Sequence, residues 1–475
     1  MPLDDANYID GSYVNSQSDR RIQLLNPATE SSIGTVVDSD PHDVDRAVTA
    51  AARAFPAWAA LPPATRGAHL RAFADALERR GEAIAQQLTS ENGTPITIAR
   101  RANTSRVGDL YRYFASLAET QQVESTLPSA DGSISVVRRE PLGVAALIVP
   151  WNAPTGLLAW KLGPALAAGC TVVIKPAPET TLDLEYLVEA ANEAGIPPGV
   201  INIIAGAQVA GEALVQHPLV TKVSFTGSTA VGKAIAAAAS GNLKHLTLEL
   251  GGKSAAILLD DADTVAFTRQ LTNFVMPLSG QVCYSTTRIL ISRRRYDAVL
   301  DELVEGVRAI RVGDPTDSET VHGPLVNARQ RARVEHYIQQ GIQEGARLVT
   351  GGGRPAGLDT GYFVEPTVFA DVDNAMTIAR EEIFGPVLAV IPFDDDDDAI
   401  AIANDSRYGL AGAVFTSDPE RGLSVARSVQ TGTFGINRYA VAIDAPYGGY
   451  KDSGIGREVG PGSLDGYTQT KTIYI

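Results

Sequence analysis

The chain has 475 residues, 44% of them hydrophobic and 20% charged, with a net charge of −15. That length allows about three domains with sizeable cores. The acidic balance argues against nucleic acid or an anionic membrane as partner, because binding to phosphates is mostly counterion release by Lys and Arg.

No apolar run reaches the roughly 20 residues that a membrane helix needs. The segment Met1–Asp10 carries Asp4 and Asp5 and lacks the apolar core of a secretory signal. Cys170 and Cys283 are the only cysteines, so a disulfide framework is excluded and a cytoplasmic location is expected. The histidines, His42, His69, His217, His245, His322 and His336, show no ligand spacing, so no metal is expected.

In chain order, residues 1–60 read as a polar entry leading into an Ala-rich helix over 43–60, whose early Asp43 and Asp45 suit a helix N-terminus. Two more amphipathic helices are expected at 64–90 and 99–120. The stretch 122–140, rich in Ser, Val and Ile, is strand-like. From Gly143 the texture changes to short apolar runs alternating with helical segments. Strands are expected at 143–150, 171–175, 200–204 and 222–225, with helices at 155–168, 181–194, 208–216 and 229–239. This rhythm is that of a mostly parallel sheet covered on both faces, which binds ligands beyond the carboxyl ends of its strands. A second α/β region follows: a long helix over 262–279, a strand at 288–292, helices at 295–310 and 328–345, and strands near 387–392 and 412–416. The acidic run Asp394–Asp398 reads as a solvated helix start. The final TQTKTIYI reads as an exposed strand, whose free edge invites pairing with another subunit. No internal repeat is evident.

Four places suggest chemistry. Cys283 follows Gly280 in SGQVC, where a glycine permits a tight turn that exposes the thiol. Glu249 ends an apolar strand before Gly251 and Gly252, where parallel-sheet sites form. Asn152 stands where the first strand of the parallel series stops and offers an amide to an oxyanion. Phe225–Gly232 joins a strand to a helix, and backbone N–H groups there can cradle a pyrophosphate. Taken singly, each also fits a plain structural role: a buried thiol, a surface acid, a turn asparagine, a loop. Cys170, just before a buried strand, fits the structural role alone.

Together and in order, PWN at 150–152, KPAPET at 175–180, FTGSTAVG at 225–232, LELGGKS at 248–254, GQVC at 280–283, EEIFGPV at 381–387 and PYGGYKDSGIGRE at 446–458 resemble the aldehyde dehydrogenase superfamily. Glu249 precedes Cys283 by 34 residues, as in that family. The resemblance implies an α/β fold with three parts. These are a Rossmann-like NAD(P)-binding domain over 1–122 and 142–252, a catalytic domain over 253–440, and a small β oligomerisation element over 123–141 and 460–475. Residues 441–459 would connect them near the active site. It implies Cys283 as nucleophile, Asn152 with the Cys283 N–H as oxyanion hole, and Glu249 as general base. Trp151, Lys175, Gly227, Ser228, Gly232, Leu250, Glu382 and Phe384 would bind the cofactor. Lys175 would take the adenosine ribose, Ser228 the pyrophosphate and Glu382 the nicotinamide ribose. Lys161 and Asn437 match further positions near the site.

The chemistry asks for these types. A thiolate makes a flat aldehyde tetrahedral so that hydride can leave, and the resulting thioester then needs a base to activate water. Many members carry Lys-x-x-Glu at the adenosine site. Here that position is Pro178, with Glu179 one residue later, so the cofactor is read as NAD with NADP possible. By alignment Ala153, Gly156, Leu157, Val282, Tyr284 and Tyr439–Ile443 line an apolar tunnel for a medium aliphatic, terpenoid or aromatic aldehyde. Arg288 and Arg438 could instead bind a carboxylate. The alternatives are a CoA-acylating enzyme, disfavoured by Glu249, and a dehydrogenase of semialdehyde acids. A homodimer or homotetramer is expected.

Overall fold

The structure, a computed structural model, describes residues 2–128 and 130–475. It is built on two mostly parallel sheets. The first has eight strands in the order Ser12–Asn15, Ala6–Ile9, Ile201–Ile203, Thr171–Lys175, Val144–Ile148, Val220–Thr226, His245–Glu249 and Gly454–Ile455. Its five central strands run parallel. Ala6–Ile9 and Gly454–Ile455 flank them antiparallel. Alternate residues divide between two cores: Ala145, Leu147, Val172 and Ile174 face one, Val144, Ala146, Ile148 and Val173 the other. Burial on both faces is why these strands read as continuous apolar runs. The chain leaves Val144–Ile148 toward one edge and later returns to its other side as Val220–Thr226. That reversal of strand order opens a crevice at the carboxyl ends.

The second sheet orders Arg347–Thr350, Thr367–Ala370, Val387–Phe393, Arg288–Ser292, Ala255–Leu258, Gly412–Phe415 and Gly435–Ile436, parallel except for the first pair. It too is sandwiched, with Ala255 and Ile257 facing one core and Ala256 and Leu258 the other. A third, antiparallel sheet sets Ile134–Pro141 between Glu124–Pro128 and Thr468–Tyr474, the strand expected in the tail. Among the described residues, no helix is long and apolar enough to cross a membrane.

Four expectations change. The polar entry holds four short strands, Ala6–Ile9, Ser12–Asn15, Arg21–Leu25 and Ser32–Val37. Two of them extend the first sheet and two pair with each other. Runs of four to six residues are too short for their alternation to show in sequence. The helix expected over 64–90 divides at Arg80 into Pro63–Arg79 and Gly81–Asn92, and the Arg80 guanidinium there donates to Glu189 and Glu193. The one over 99–120 passes through a π-turn at Ala102–Arg106. The long helix over 262–279 does not form. Thr264–Thr268 gives way to a π-turn at Leu271–Val275, and Leu278 and Ser279 take positive φ of 49° and 57°. Pro277, without an N–H, cannot continue a helix. The acidic run does start a helix, with Asp395 capping Asp396–Asn404.

Candidate active site

The crevice is lined by three carboxyl ends. Trp151 and Asn152 follow Val144–Ile148, Gly227 and Ser228 follow Val220–Thr226, and Glu249 closes its own strand. The loop bearing Cys283 meets them from the second sheet. Its shape is forced by Gly280, at φ 74°, where a Cβ would lie 2.1 Å from the Gly385 carbonyl oxygen. Ser279 Oγ donates to Gly323 O at 2.8 Å, and Gln281 Oε1 accepts from Val326 N at 3.0 Å. The Asn152 amide donates to Gln281 O at 2.8 Å, two residues before the thiol, and keeps a second N–H.

Cys283 is half-buried. Burial, followed by the Glu382 and Glu249 carboxylates, pushes its thiol up to about 12, against a hydrogen bond with Tyr447. Glu249 is 3% exposed and neither of its oxygens accepts a hydrogen bond from any described residue. Burial, then Glu458, holds its carboxyl well above the usual range. Gly448 abuts it: a Cβ there would stand 2.7 Å from Glu249 Oε1. Behind the site, Lys161 Nζ pairs with Glu458 at 2.6 Å, both fully enclosed.

On the other side of the crevice, Ser228 caps the helix Thr229–Ser240, its Oγ accepting from Val231 N at 3.4 Å. Gly227 N donates to Glu249 O, and Gly232 packs so closely on Leu250 that a Cβ would fall 2.4 Å from it. Lys175 Nζ donates to Pro176 O at 2.8 Å and Gly206 O at 2.6 Å, and burial draws its ammonium down to about 8. Glu179 is held by the Asn327 amide at 2.9 Å, and its charge acts on Lys175. Glu382 accepts from Gly252 N at 2.9 Å and is pushed up to about 7 by burial. Phe384 meets Trp151 edge to face, centroids 5.4 Å apart. A helix N-terminus with free N–H groups at a strand-order reversal, flanked by a buried lysine and two carboxylates, fits a dinucleotide.

The residues expected in the tunnel are brought together only in part. Ala153, Cys283, Trp160, Val441 and Ile443 pack against one core that includes Leu157 and Tyr447. A Cβ at Gly156 would meet open space. Tyr284 stacks obliquely on Tyr439 at 5.3 Å, and the Tyr439 hydroxyl bonds Thr433 at 2.8 Å. Beside them lies a groove of about 550 Å³ lined by residues including Arg438, Val441 and Tyr447. Val282 is buried within the cysteine loop.

One candidate falls away. Arg288 is 2% exposed and spends its guanidinium on the carbonyls of Lys253, Ile402 and Ala403, so it cannot receive a substrate carboxylate. Asn437 bonds Thr416 through both ends of its amide, which pins the turn after Gly435–Ile436. Sequence reasoning missed Tyr447 and Trp160, whose rings lie 5.0 Å apart. Tyr447 sits in a quoted motif, yet 164 residues from Cys283, and nothing local announces the contact.

Comparison with known proteins agrees with this architecture. Residues 13–473 match the model of the Aldehyde dehydrogenase family. A geranial dehydrogenase of Castellaniella defragrans is 49% identical, covering 98% of this chain and 98% of its own. A betaine aldehyde dehydrogenase of Brucella canis is 42% identical, covering 99% and 97%. The NAD+ complex of an aldehyde dehydrogenase from Bacillus cereus superposes with a TM-score of 0.96 at 41% identity, covering 99% and 96%. The chain belongs to the aldehyde dehydrogenase family. It is an oxidoreductase acting on the aldehyde group of its donor, with NAD(P) as cofactor.

Proposed function

We propose that the chain oxidises an apolar aldehyde of medium size, aliphatic, terpenoid or aromatic, to its carboxylic acid through a thioester on Cys283. The observation that carries this reading is the meeting of a half-buried thiol, the Asn152 amide on its loop and the unpartnered Glu249 carboxylate. The Cys283 thiolate adds to the carbonyl carbon. Asn152, with the Cys283 N–H, holds the oxyanion; one such donor is commonly worth about 10²–10³ in rate. The bound NAD(P) supplies the hydride acceptor. Trp151, Lys175, Gly227, Ser228, Gly232, Leu250, Glu382 and Phe384 would hold it. Collapse of the oxyanion leaves an acyl thioester. Glu249 takes a proton from water, the hydroxide adds to the thioester, and Cys283 leaves as thiolate. Burial favours this role, because it brings the carboxyl toward the working pH where a base is most effective.

Several features support the finer points. The apolar wall of Ala153, Leu157, Trp160, Val441 and Ile443 suits an uncharged tail, as does likeness to a geranial dehydrogenase. Glu179 beside Lys175 places a negative charge that a 2′-phosphate would oppose, which favours NAD over NADP. The first sheet with residues 1–122 and 142–252 makes the cofactor domain in this reading, and 253–440 the catalytic one. The small sheet of 123–141 and 460–475 makes the oligomerisation element of a homodimer or homotetramer, and it leaves Leu127, Tyr474 and Ile475 exposed.

An aldehyde panel run with NAD and NADP tests the reading. Geranial and aromatic aldehydes should outperform betaine aldehyde and semialdehyde acids, and Cys283→Ala should abolish formation of reduced cofactor. A tenfold preference for a charged aldehyde overturns the substrate class. Stoichiometric CoA consumption overturns hydrolysis.

A further inference from the structure

One hydroxyl at the site has no task in these steps. Tyr447 is 2% exposed, and its Oη lies 3.6 Å from Cys283 Sγ. Its position is fixed twice. Its backbone N–H and carbonyl both pair with Glu458 at 2.8 Å, and its ring rests on Trp160. The next residue, Gly448, abuts Glu249, so a single dipeptide touches both the thiol and the carboxylate.

The surroundings of the sulfur say what the hydroxyl does. The titratable groups acting on or beside Cys283 are Glu249, Glu382, Tyr284, Tyr439 and Tyr447. None is a cation. Burial and both carboxylates oppose a negative sulfur, so a thiolate here depends on hydrogen-bond donors. Burial also holds the Tyr447 phenol well above its ordinary range, which keeps it protonated and able to donate. Tyr447 is therefore the side-chain donor that faces the sulfur, alongside the Tyr284 backbone N–H.

We propose that Tyr447 is a catalytic residue of this enzyme, donating its O–H to the Cys283 sulfur whenever that sulfur is a thiolate. The inference rests on Cys283 being the nucleophile. The thiol proton leaves to water while the phenol keeps its own. The same bond serves twice: it raises the fraction of attacking thiolate, and it stabilises the thiolate that departs when water resolves the thioester. A phenylalanine at this position would fill the space and supply neither effect.

The test compares full-length wild type with Tyr447→Phe. The pH dependence of inactivation by iodoacetamide reads the thiol directly, and kcat and KM for one aldehyde read the reaction. Cys170, the other thiol, is buried. The expected result is an alkylation profile moved up by about one pH unit, with alkylation at neutral pH and kcat each lowered about tenfold and KM little changed. A profile that superimposes on wild type overturns the proposal, even if kcat falls. If Tyr447→Phe does not fold, site-specific 3-fluorotyrosine keeps the size and sharpens the donor; its profile must move down in pH, and an unmoved one overturns the proposal. Labelling of Cys283 that leaves activity intact overturns the proposal together with the nucleophile assignment.

Discussion

The two walls of the crevice are made differently. Much of the wall that we assign to the cofactor consists of strand ends and a helix start: Lys175 ends one strand, Gly227 follows another, Ser228 caps a helix and Gly232 lies in that helix, whereas Glu382 and Phe384 lie in a loop. The strand and helix groups are placed by regular hydrogen bonding, and the sequence near each shows why it is there. The wall that we assign to the aldehyde consists of loops that meet from far apart. Cys283 stands after a run of positive φ at Leu278, Ser279 and Gly280, and Tyr447 and Gly448 come from another segment altogether. Both walls hold close approaches, Gly232 on Leu250 in the first and Gly448 on Glu249 in the second, but only the second joins segments so far apart in the chain.

The comparison is sharpened most by Glu249→Gln. If the carboxylate is the base for hydrolysis, steady-state turnover should fall by about 10²–10⁴ while a first burst of reduced cofactor survives. Rapid-mix absorbance would show the burst, and its disappearance would move Glu249 to the first half of the reaction. A smaller effect is expected at Gly448→Ala. The added Cβ has backbone and the Glu249 carboxylate within 3 Å, so kcat should drop about tenfold, with destabilisation of about 1–3 kcal/mol. An unchanged kcat would show that the loop wall yields more easily than its packing implies. The smallest effect lies on the cofactor wall. Burial raises Glu382 to about 7 in the folded chain, above its unfolded value near 4.5. The folded state therefore holds the proton more tightly, and stability present below about pH 4.5 is lost as pH rises toward 7. Glu382→Gln should flatten that part of the melting-temperature profile, and an unaltered slope would remove the assignment.

The same contrast explains what could be read in advance. The parallel strands were legible because burial on both faces leaves apolar runs such as TVVIK, and glycine-rich joints mark where they end. Cys283 and Glu249 were found through ordered motifs rather than local chemistry. The short strands over 6–15 were not legible, because edge pairing needs no long alternation. The break at Met276–Ser279 was hidden by apolar residues that also suit a helix. Arg288 looked available in sequence and is consumed by backbone carbonyls in space. Tyr447 was invisible for the plainest reason: its partner is 164 residues away.

The position of Tyr447 and Gly448 so late in the chain has a consequence for synthesis. A ribosome working at about 5–20 residues per second needs roughly 8–33 s to travel from the cysteine codon to the tyrosine codon. During that interval both sheets can form most of their strands, yet the thiol lacks the phenol of Tyr447. Nascent chains thus carry the sulfur before the phenol that would promote its thiolate, so the activated pair forms only after most strands of both sheets have been made.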